Sequence, residues 1–244
     1  MTQVKANQIE YKLDDSVARI DEILSATDAS YEELDYIPVR DLLTFTNGFY
    51  VNCSAVFVDI RKSSELTDFH KNRVLAKLYR AYISEVSAVM NGNSICAEIN
   101  VVGDCVSGIF DTPKRTDIDI VFSTTAKIAS LIKILNYKLK MKNITEIRVG
   151  IGAAWGRALM VKAGYKGSGI NEVVWMGNVV SEASKLASNG NRESYDKQIM
   201  ISPNFNYNLS DDNKKLLEWN SVRSCYHGNV VNKDMDDWYN QNCP

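Results

Sequence analysis

The spacing of apolar side chains divides most of the chain into short strands and two long helices. Residues 50–60 ("YVNCSAVFVDI") are an apolar run that indicates a strand, and the run stops at Asp59. Over 64–90, apolar residues recur at steps of three and four, which predicts one helix. Two apolar stretches around Gly103 and Asp104 predict a hairpin. The other predicted elements are a helix over 117–141, a strand pair over 146–164, a helix over 178–188 and a strand over 197–205.

The order of these elements is strand, helix, strand, strand, helix, strand, with additions. This order is typical of the split βαβ or ferredoxin-like arrangement, an α+β fold with one antiparallel-containing sheet and helices on one face. Residues 1–45 are predicted to be an N-terminal extension that includes a helix around "SVARIDEILSA" (16–26). Residues 46–244 are predicted to be the main domain.

Composition excludes several classes of function. The chain has 244 residues, 45% of them hydrophobic, and a formal net charge of −2. That length can bury one large core, and the balanced charge lacks the basic footprint of a protein that binds duplex nucleic acid. No apolar run reaches the ~18 residues of a membrane span, and the N-terminus has no apolar signal core. Five cysteines at no zinc-like spacing indicate reduced thiols, so we expect a cytoplasmic protein.

Two aspartates lie where strands are predicted to end. Asp59 closes the first strand, and Asp104 lies at the tip of the predicted hairpin. These strands can be neighbours in a ferredoxin-like sheet, so both carboxylates could converge and hold Mg²⁺ or Mn²⁺. The alternatives are structural, because an aspartate before a helix is often a cap and one after a hairpin glycine is often a turn residue. The turn after Asp59 opens a predicted helix, whose N-terminus would favour phosphate.

Four segments, in order, resemble the catalytic domain of the class III nucleotidyl cyclases. They are "FVDIRKSSEL" (57–66), "INVVGDCVSGIF" (99–110), "RVGIGAAWGRALM" (148–160) and "VWMGNVVSEASKLAS" (174–188). Four ordered segments are far more specific than one. The resemblance implies that residues 46–244 are a cyclase domain and that the enzyme is a homodimer with shared active sites that cyclises a nucleoside triphosphate. It also implies two Mg²⁺ or Mn²⁺ ions, with metal contacts at Asp59, Ile60 and Asp104.

Other site positions of that family hold different residues in this chain. The family's transition-state asparagine is replaced by Ser181, and its arginine four positions on by Lys185, which still supplies a cation but not a planar fork. The lysine and aspartate that read adenine are replaced by Asn100 and Val174. The guanine-reading pair is absent as well, so a site built on these residues would leave the polar groups of a purine unmatched.

This pattern of replacements resembles the one found in the pyrimidine cyclases of bacterial Pycsar-type anti-phage systems. Asn100 offers both a donor and an acceptor, which suits the edge of uracil or cytosine. Tyr50 could fill the space that a smaller base leaves or bond its edge, the alternative being an ordinary core or rim aromatic. The resemblance implies that UTP, before CTP, is converted to a 3′,5′-cyclic monophosphate and pyrophosphate. The product would activate an effector encoded separately.

Other interpretations remain open from the sequence. A purine cyclase is one, and a degenerate cyclase homologue acting as a regulatory nucleotide-binding module is another, favoured by Ser181 and Lys185 and opposed by the retained aspartates. A diguanylate-cyclase-type transferase would carry a G-G-[DE]-E-F segment, which this sequence lacks. The remaining candidates are Lys197, Arg223 and Lys233 for the triphosphate tail, Arg148 for the strand framework, and His70 and His227 for ordinary packed or surface positions.

Overall fold

The computed structural model describes residues 6 and 8–243 and contains one nine-stranded sheet. Its strands are β1 (Tyr31–Glu33), β2 (Gly48–Ile60), β3 (Cys96–Val102), β4 (Cys105–Asp111), β5 (Val149–Tyr165), β6 (Ile170–Met176), β7 (Ile199–Ile201), β8 (Glu218–Asn220) and β9 (Cys225–Gly228). The main path through the sheet is β3-β4-β2-β5-β7-β9-β8, while β1 pairs with β2 and β6 pairs with β5.

Eight α-helices are present in the described residues. They are α1 (Leu13–Leu24), α2 (Leu66–Phe69), α3 (Asn72–Asn91), α4 (Arg115–Lys140), α5 (Asn178–Asn189), α6 (Pro203–Asn208), α7 (Asp211–Lys214) and α8 (Lys233–Asn242). The single helix predicted over 64–90 is wrong, because the extended backbone of His70 separates α2 from α3. Among the helices described, none is both long enough and apolar enough to span a bilayer.

Four strands and two helices form the ferredoxin-like unit. In chain order the unit is β2, α3, β3, β4, α4, β5. In the sheet its strands lie in the order β3-β4-β2-β5, and each neighbouring pair is antiparallel. The predicted α+β, split βαβ fold is therefore confirmed.

The alternation of side chains along β2 builds a core on each side of the sheet. Val56 and Val58 pack with the buried residues of α3 and α4 on one side. Cys53 and Ala55 point the other way and pack with α5. The prediction that the helices cover one face is therefore wrong, since α5 covers the second.

Glycines in β5 allow α5 to lie directly on the sheet. A Cβ at Gly150 would come within 2.0 Å of the carbonyl oxygen of Ala187, and one at Gly152 within 2.1 Å of that of Ala183. Glycine in a strand often marks such a close backbone approach. These glycines do not interrupt β5, which runs unbroken for 17 residues. The strand pair predicted over 146–164 is therefore a single strand.

The residues before β2 join the sheet and its core. β1 pairs in parallel with the first three residues of β2, and Leu43 is buried against Phe49 and Met160. The helix predicted in this region is present as α1, although none of its residues is buried. Strand pairing and packing thus cross residue 45, and the domain boundary there stays a prediction.

Candidate active site

Strand register brings Asp59 and Asp104 to one edge of the sheet. Val58 lies opposite Val106 in the pair of β2 and β4, so the next positions, Asp59 and Cys105, lie at the same level. Asp104 immediately precedes Cys105 in the turn between β3 and β4. The two aspartates are therefore neighbours within one chain, and metal binding by them stays a prediction.

The carboxylate of Asp59 has little positive charge around it. Its side chain is 32% exposed and pairs with the guanidinium of Arg61, which also donates to the carbonyl of Ser188 at the end of α5. Burial raises the pKa of Asp59, Arg61 lowers it and the charge of Asp104 raises it, so that the net shift is upward. A carboxylate that is paired with one cation and lies close to a second carboxylate favours the binding of further positive charge.

The donor set at this edge fits a divalent cation that is completed by other ligands. Asp59 and Asp104 supply hard oxygens, whereas the Ile60 side chain is buried in the core, so only the backbone of Ile60 could face a metal. Across residues 6 and 8–243, no group of three or more His, Cys, Asp or Glu side chains could hold a metal ion. Mg²⁺ is commonly held by one or two carboxylates together with substrate phosphates and water. This edge therefore suits ions that are bound together with a triphosphate.

A cavity of about 520 Å³ lies beside Arg61. Arg148 lines it, donating from its guanidinium to the carbonyl of Asn191 at 2.8 Å and accepting the N–H of Arg61 at its own carbonyl at 2.7 Å. Lys62 and Arg192 add positive charge to the lining, and such cations bind phosphate oxygens strongly. This cavity could not be predicted from the sequence, because Arg61 and Arg148 lie in separate segments, 57–66 and 148–160, whose approach depends on the fold. The lining also carries acidic side chains, namely Glu65, Glu146 and Glu193.

The turn after Asp59 does not present the helix N-terminus that the sequence predicts. Lys62 has a left-handed backbone (φ 54°, ψ 39°) and precedes a 3₁₀ turn, Ser63–Glu65. The helix that follows, α2, has only four residues. A helix dipole requires several aligned peptide units, so the predicted helix N-terminus is wrong, while phosphate binding at this turn stays a prediction. The positive charge of this turn comes from side chains.

The three cations assigned from the sequence to the triphosphate tail are paired with carboxylates elsewhere. The pairs are Lys197 with Glu218 at 2.7 Å, Arg223 with Asp196 at 2.8 Å, and Lys233 with Asp237 at 2.5 Å. The lining of the cavity beside Arg61 includes Arg148 instead. The geometry therefore favours Arg148, which the sequence analysis assigns to the strand framework.

Ser181 and Lys185 lie on the outward face of α5, and both are exposed. The Ser181 hydroxyl donates to a carbonyl of its own helix at 3.1 Å, while the opposite face of α5 packs on the sheet. In the part of the chain that the structure describes, no hydrogen bond or ion pair joins either residue to Asp59 or Asp104. That all four side chains belong to one site stays a prediction.

Asn100, one of the two positions that the resemblance assigns to base reading, meets a buried carboxylate. Its Nδ2 donates to Glu98 at 3.0 Å, and the indole Nε1 of Trp175 donates to the other oxygen of Glu98 at 3.0 Å. Trp175 also packs against Met160, whereas Val174 points to the other side of β6, because side chains alternate along a strand. Within one chain, Glu98 therefore links Asn100 to Trp175, the residue that follows Val174, and not to Val174 itself.

Tyr50 lies at the opposite end of β2 from Asp59. Nine positions separate the two residues, about 30 Å at ~3.3 Å per residue, and alternation places them on opposite faces. The guanidinium of Arg157 covers the Tyr50 ring, 3.7 Å from its centroid. Tyr50 therefore cannot contact a base bound beside its own Asp59, and a base-binding role would require a second copy.

The two histidines form structural hydrogen bonds. His70 bonds the hydroxyl of Thr145 at 2.8 Å. His227 is buried between Asn220 at 3.2 Å and Glu218 at 3.1 Å. All five cysteines are free, as predicted.

Comparison with known proteins identifies a family and a fold. The family "Adenylate and Guanylate cyclase catalytic domain" matches residues 46–232. A uridylate cyclase of Gulbenkiania mobilis is 37% identical over 98% of this chain and 100% of its own length. A uridylate cyclase of Treponema porcinum is 37% identical over 86% of this chain and 74% of its own. The crystal structure of the adenylyl cyclase CyaB from P. aeruginosa matches 70% of this chain and 85% of its own, with a TM-score of 0.58 and 22% identity, which supports the fold alone.

Proposed function

This chain belongs to the class III family of adenylate and guanylate cyclase catalytic domains and is a nucleotidyl cyclase, and we propose that its substrate is a pyrimidine nucleoside triphosphate. UTP is favoured over CTP, giving 3′,5′-cyclic UMP and pyrophosphate. The observation that carries the proposal is at the base-reading positions, where Asn100 is tied to Glu98 and Val174 has no polar group to offer a purine. Two relatives named uridylate cyclase, each 37% identical, support the same substrate class.

The proposed reaction is an in-line displacement at phosphorus. The ribose 3′-oxygen forms a bond to the α-phosphorus, and the bond from the α-phosphorus to the oxygen that bridges to the β-phosphate breaks. Pyrophosphate leaves, and the proton of the 3′-hydroxyl passes to solvent. Positioning and charge stabilisation supply most of the acceleration in reactions of this kind.

The described residues match the charges of that reaction. Arg61 and Arg148 would bind the β- and γ-phosphates in the cavity that they line. Asp59, Asp104 and the backbone of Ile60 would hold two Mg²⁺ or Mn²⁺ ions. When bound, such ions lower the pKa of an attacking hydroxyl and offset charge on the leaving group.

A homodimer would complete the site. Ser181 and Lys185 are exposed on α5, and a two-fold interface would place them beside Asp59 and Asp104 of a second copy. Lys185 would then supply positive charge to the pentacovalent phosphorus, and Ser181 a hydroxyl where the family has asparagine. Tyr50 would enter a base pocket only through such a contact between copies.

The resemblance to pyrimidine cyclases of anti-phage systems supports a biological role for the product. In this proposal the cyclic nucleotide is a second messenger in defence against phage and acts on an effector encoded separately. A cytoplasmic location is part of the same proposal.

The test is an incubation of the purified protein with equal concentrations of ATP, GTP, CTP and UTP plus Mn²⁺. Mass spectrometry should find cyclic UMP as the main product, and the Asp59→Asn variant should form it on the order of 10³-fold more slowly. Cyclic AMP or cyclic GMP as the main product would overturn the pyrimidine assignment. Binding of UTP without turnover would support the alternative of a regulatory nucleotide-binding module, to which the changes at Ser181 and Lys185 point.

A further inference from the structure

We propose that Glu98 positions Asn100 for base selection, a role that rests on the proposed function. Glu98 touches no reacting atom in the scheme above and acts through the amide of Asn100. Three features of its surroundings support this role: its burial among donors, the strand register that aims it, and the orientation that it imposes on the amide.

Glu98 is a buried carboxylate that receives donors from three separate segments. Its side chain is only 4% exposed. Asn100 on β3 and Trp175 on β6 each donate to it at 3.0 Å, and Arg40, from the turn before β2, pairs with it at 3.1 Å. A buried carboxylate is costly unless its oxygens are satisfied. With three donors the position of this carboxylate is fixed.

An irregularity in β3 aims Glu98 at this position. The register between β3 and β4 shifts between Cys96 and Glu98, so Ala97 is an extra residue. Without this β-bulge, Glu98 would point into the core beneath α3 and α4, where Phe110 is buried. With it, Glu98 and Asn100 lie on the side of the sheet that carries α5. Bulges commonly re-aim a side chain beside an active site.

The carboxylate decides which way the Asn100 amide faces. A carboxylate only accepts hydrogen bonds, so Asn100 presents Nδ2 to Glu98 and turns Oδ1 away. A flip of the amide would set Oδ1 against a carboxylate oxygen. The sequence alone leaves the amide free to rotate, so that it could match either pyrimidine. In the structure Glu98 holds the amide in one orientation, so the positions of its donor and its acceptor are fixed.

A constant order matters because uracil and cytosine carry opposite groups at neighbouring edge positions. Uracil has the O4 acceptor next to an N3–H donor, whereas cytosine has the N4 amino donor next to an N3 acceptor. In a given pose, an amide of constant orientation makes two hydrogen bonds with one of these bases, and an amide that can flip makes them with both. Glu98 thus makes Asn100 selective.

The test replaces the carboxylate with an amide of the same size. In Glu98→Gln the side chain can donate as well as accept, so Asn100 can flip. We expect the preference between UTP and CTP, measured as the ratio of their kcat/KM values, to fall about tenfold, mainly through KM. In an Asn100→Ala background, Glu98→Gln should not alter the ratio further, because Glu98 acts through Asn100.

Asp196→Asn is the matched control. Asp196 has a side chain with 0% exposure and likewise binds an arginine and an asparagine, Arg223 at 2.8 Å and Asn220 at 3.3 Å. This change should lower the melting temperature and leave the UTP-to-CTP ratio as it is in the wild type. A ratio that falls equally in the control would overturn the inference.

The outcomes separate this inference from the function on which it rests. If the wild type prefers one pyrimidine and a folded Glu98→Gln keeps that preference, the role of Glu98 is refuted and the cyclase assignment stands. If Glu98→Gln does not fold, Asn100→Ala must still lower the preference about tenfold, and an unchanged ratio there refutes the role. A wild type that makes only cyclic purines overturns both the proposed function and this inference.

Discussion

Asp59 and Glu98 are carboxylates on the same face of one sheet, yet their surroundings differ. Asp59 is 32% exposed, pairs with a single cation two residues away in sequence, and lies close to the like charge of Asp104. Glu98 is 4% exposed and receives donors from Asn100, two residues away, and from Arg40 and Trp175, both distant in sequence.

The difference shows how the sheet separates two tasks. The oxygens of Asp59 are only partly satisfied, so the fold leaves room for positive charge that arrives with a ligand. The oxygens of Glu98 are satisfied by the protein itself, so the carboxylate is a fixed reference for its neighbour Asn100. Of these two carboxylates, the under-satisfied one marks the candidate ligand site, and the satisfied one supports a neighbouring side chain.

The largest expected effect comes from removing charge at the under-satisfied pair. Asp59→Asn and Asp104→Asn should each lower kcat on the order of 10³-fold, because the candidate cation site loses a charged ligand. Burial and Asp104 raise the pKa of Asp59, so the fold disfavours its ionised form. The melting temperature of Asp59→Asn at pH 7 should therefore equal or exceed that of the wild type. Full activity in either variant would contradict the assignment.

Mixing two inactive variants tests whether the partly satisfied site is completed by a second copy. Asp59→Ala and Lys185→Ala carry their defects on opposite sides of a shared site, so a mixed dimer has one intact site. After the subunits exchange at equal amounts, about a quarter of wild-type activity should return, since half of the dimers are mixed. Mixing Asp59→Ala with Asp104→Ala is the control and should restore nothing. No recovery in an isolated mixed dimer would refute shared sites.

A smaller effect is expected at the cavity beside Arg61. Arg148→Ala should raise KM for the triphosphate about tenfold with little change in melting temperature, because an exposed cation for phosphate is lost. Lys233→Ala is the matched control, since Lys233 pairs with Asp237 on α8, and it should leave KM unchanged. Steady-state kinetics of both variants decides between the structural and the sequence-based assignment of the triphosphate tail.

The smallest effect is expected at Asp196, a third carboxylate, which is fully satisfied like that of Glu98. Burial alone would raise its pKa, but hydrogen bonds, chiefly from Arg223, lower it overall. A lowered pKa means that the charged form stabilises the fold at pH values above the ordinary aspartate pKa, which is near 4. This stabilisation is lost as the pH falls through the folded-state pKa. Asp196→Asn should therefore lower the melting temperature by roughly 5 °C at pH 7, and the difference should shrink below about pH 4. A difference independent of pH would show that charge is not the cause.

The position of Asp59 and Asp104 was accessible to sequence reasoning because it depends on where two strands end. An apolar run that stops at an aspartate, and a Gly–Asp turn between two apolar runs, can both be read locally. The ferredoxin-like order then makes the two strands neighbours, as the structure has them. The place of Arg148 beside the cavity could not be read in the same way, because separate turns form that cavity.

The surroundings of Glu98 were not accessible in the same way. Simple alternation from Cys96 would direct Glu98 into the apolar core beneath α3 and α4, and only the bulge at Ala97 turns it to the face that carries α5. One of its donors, Arg40, comes from a segment assigned to the N-terminal extension. The sequence shows only that a glutamate lies within an apolar strand. Its contacts could be predicted only if the strand register were known.

The pairing of β1 with β2 also affects how the protein behaves when it is shortened. Beyond the last residue of β4, the edge of β2 is covered by three residues of β1. A protein trimmed to begin at residue 46 would keep all four cyclase segments but expose this strand edge, with the apolar Phe49 upon it. Open strand edges recruit further strands from other molecules. We therefore expect a protein cut where the family match begins, at residue 46, to aggregate more readily than the full chain.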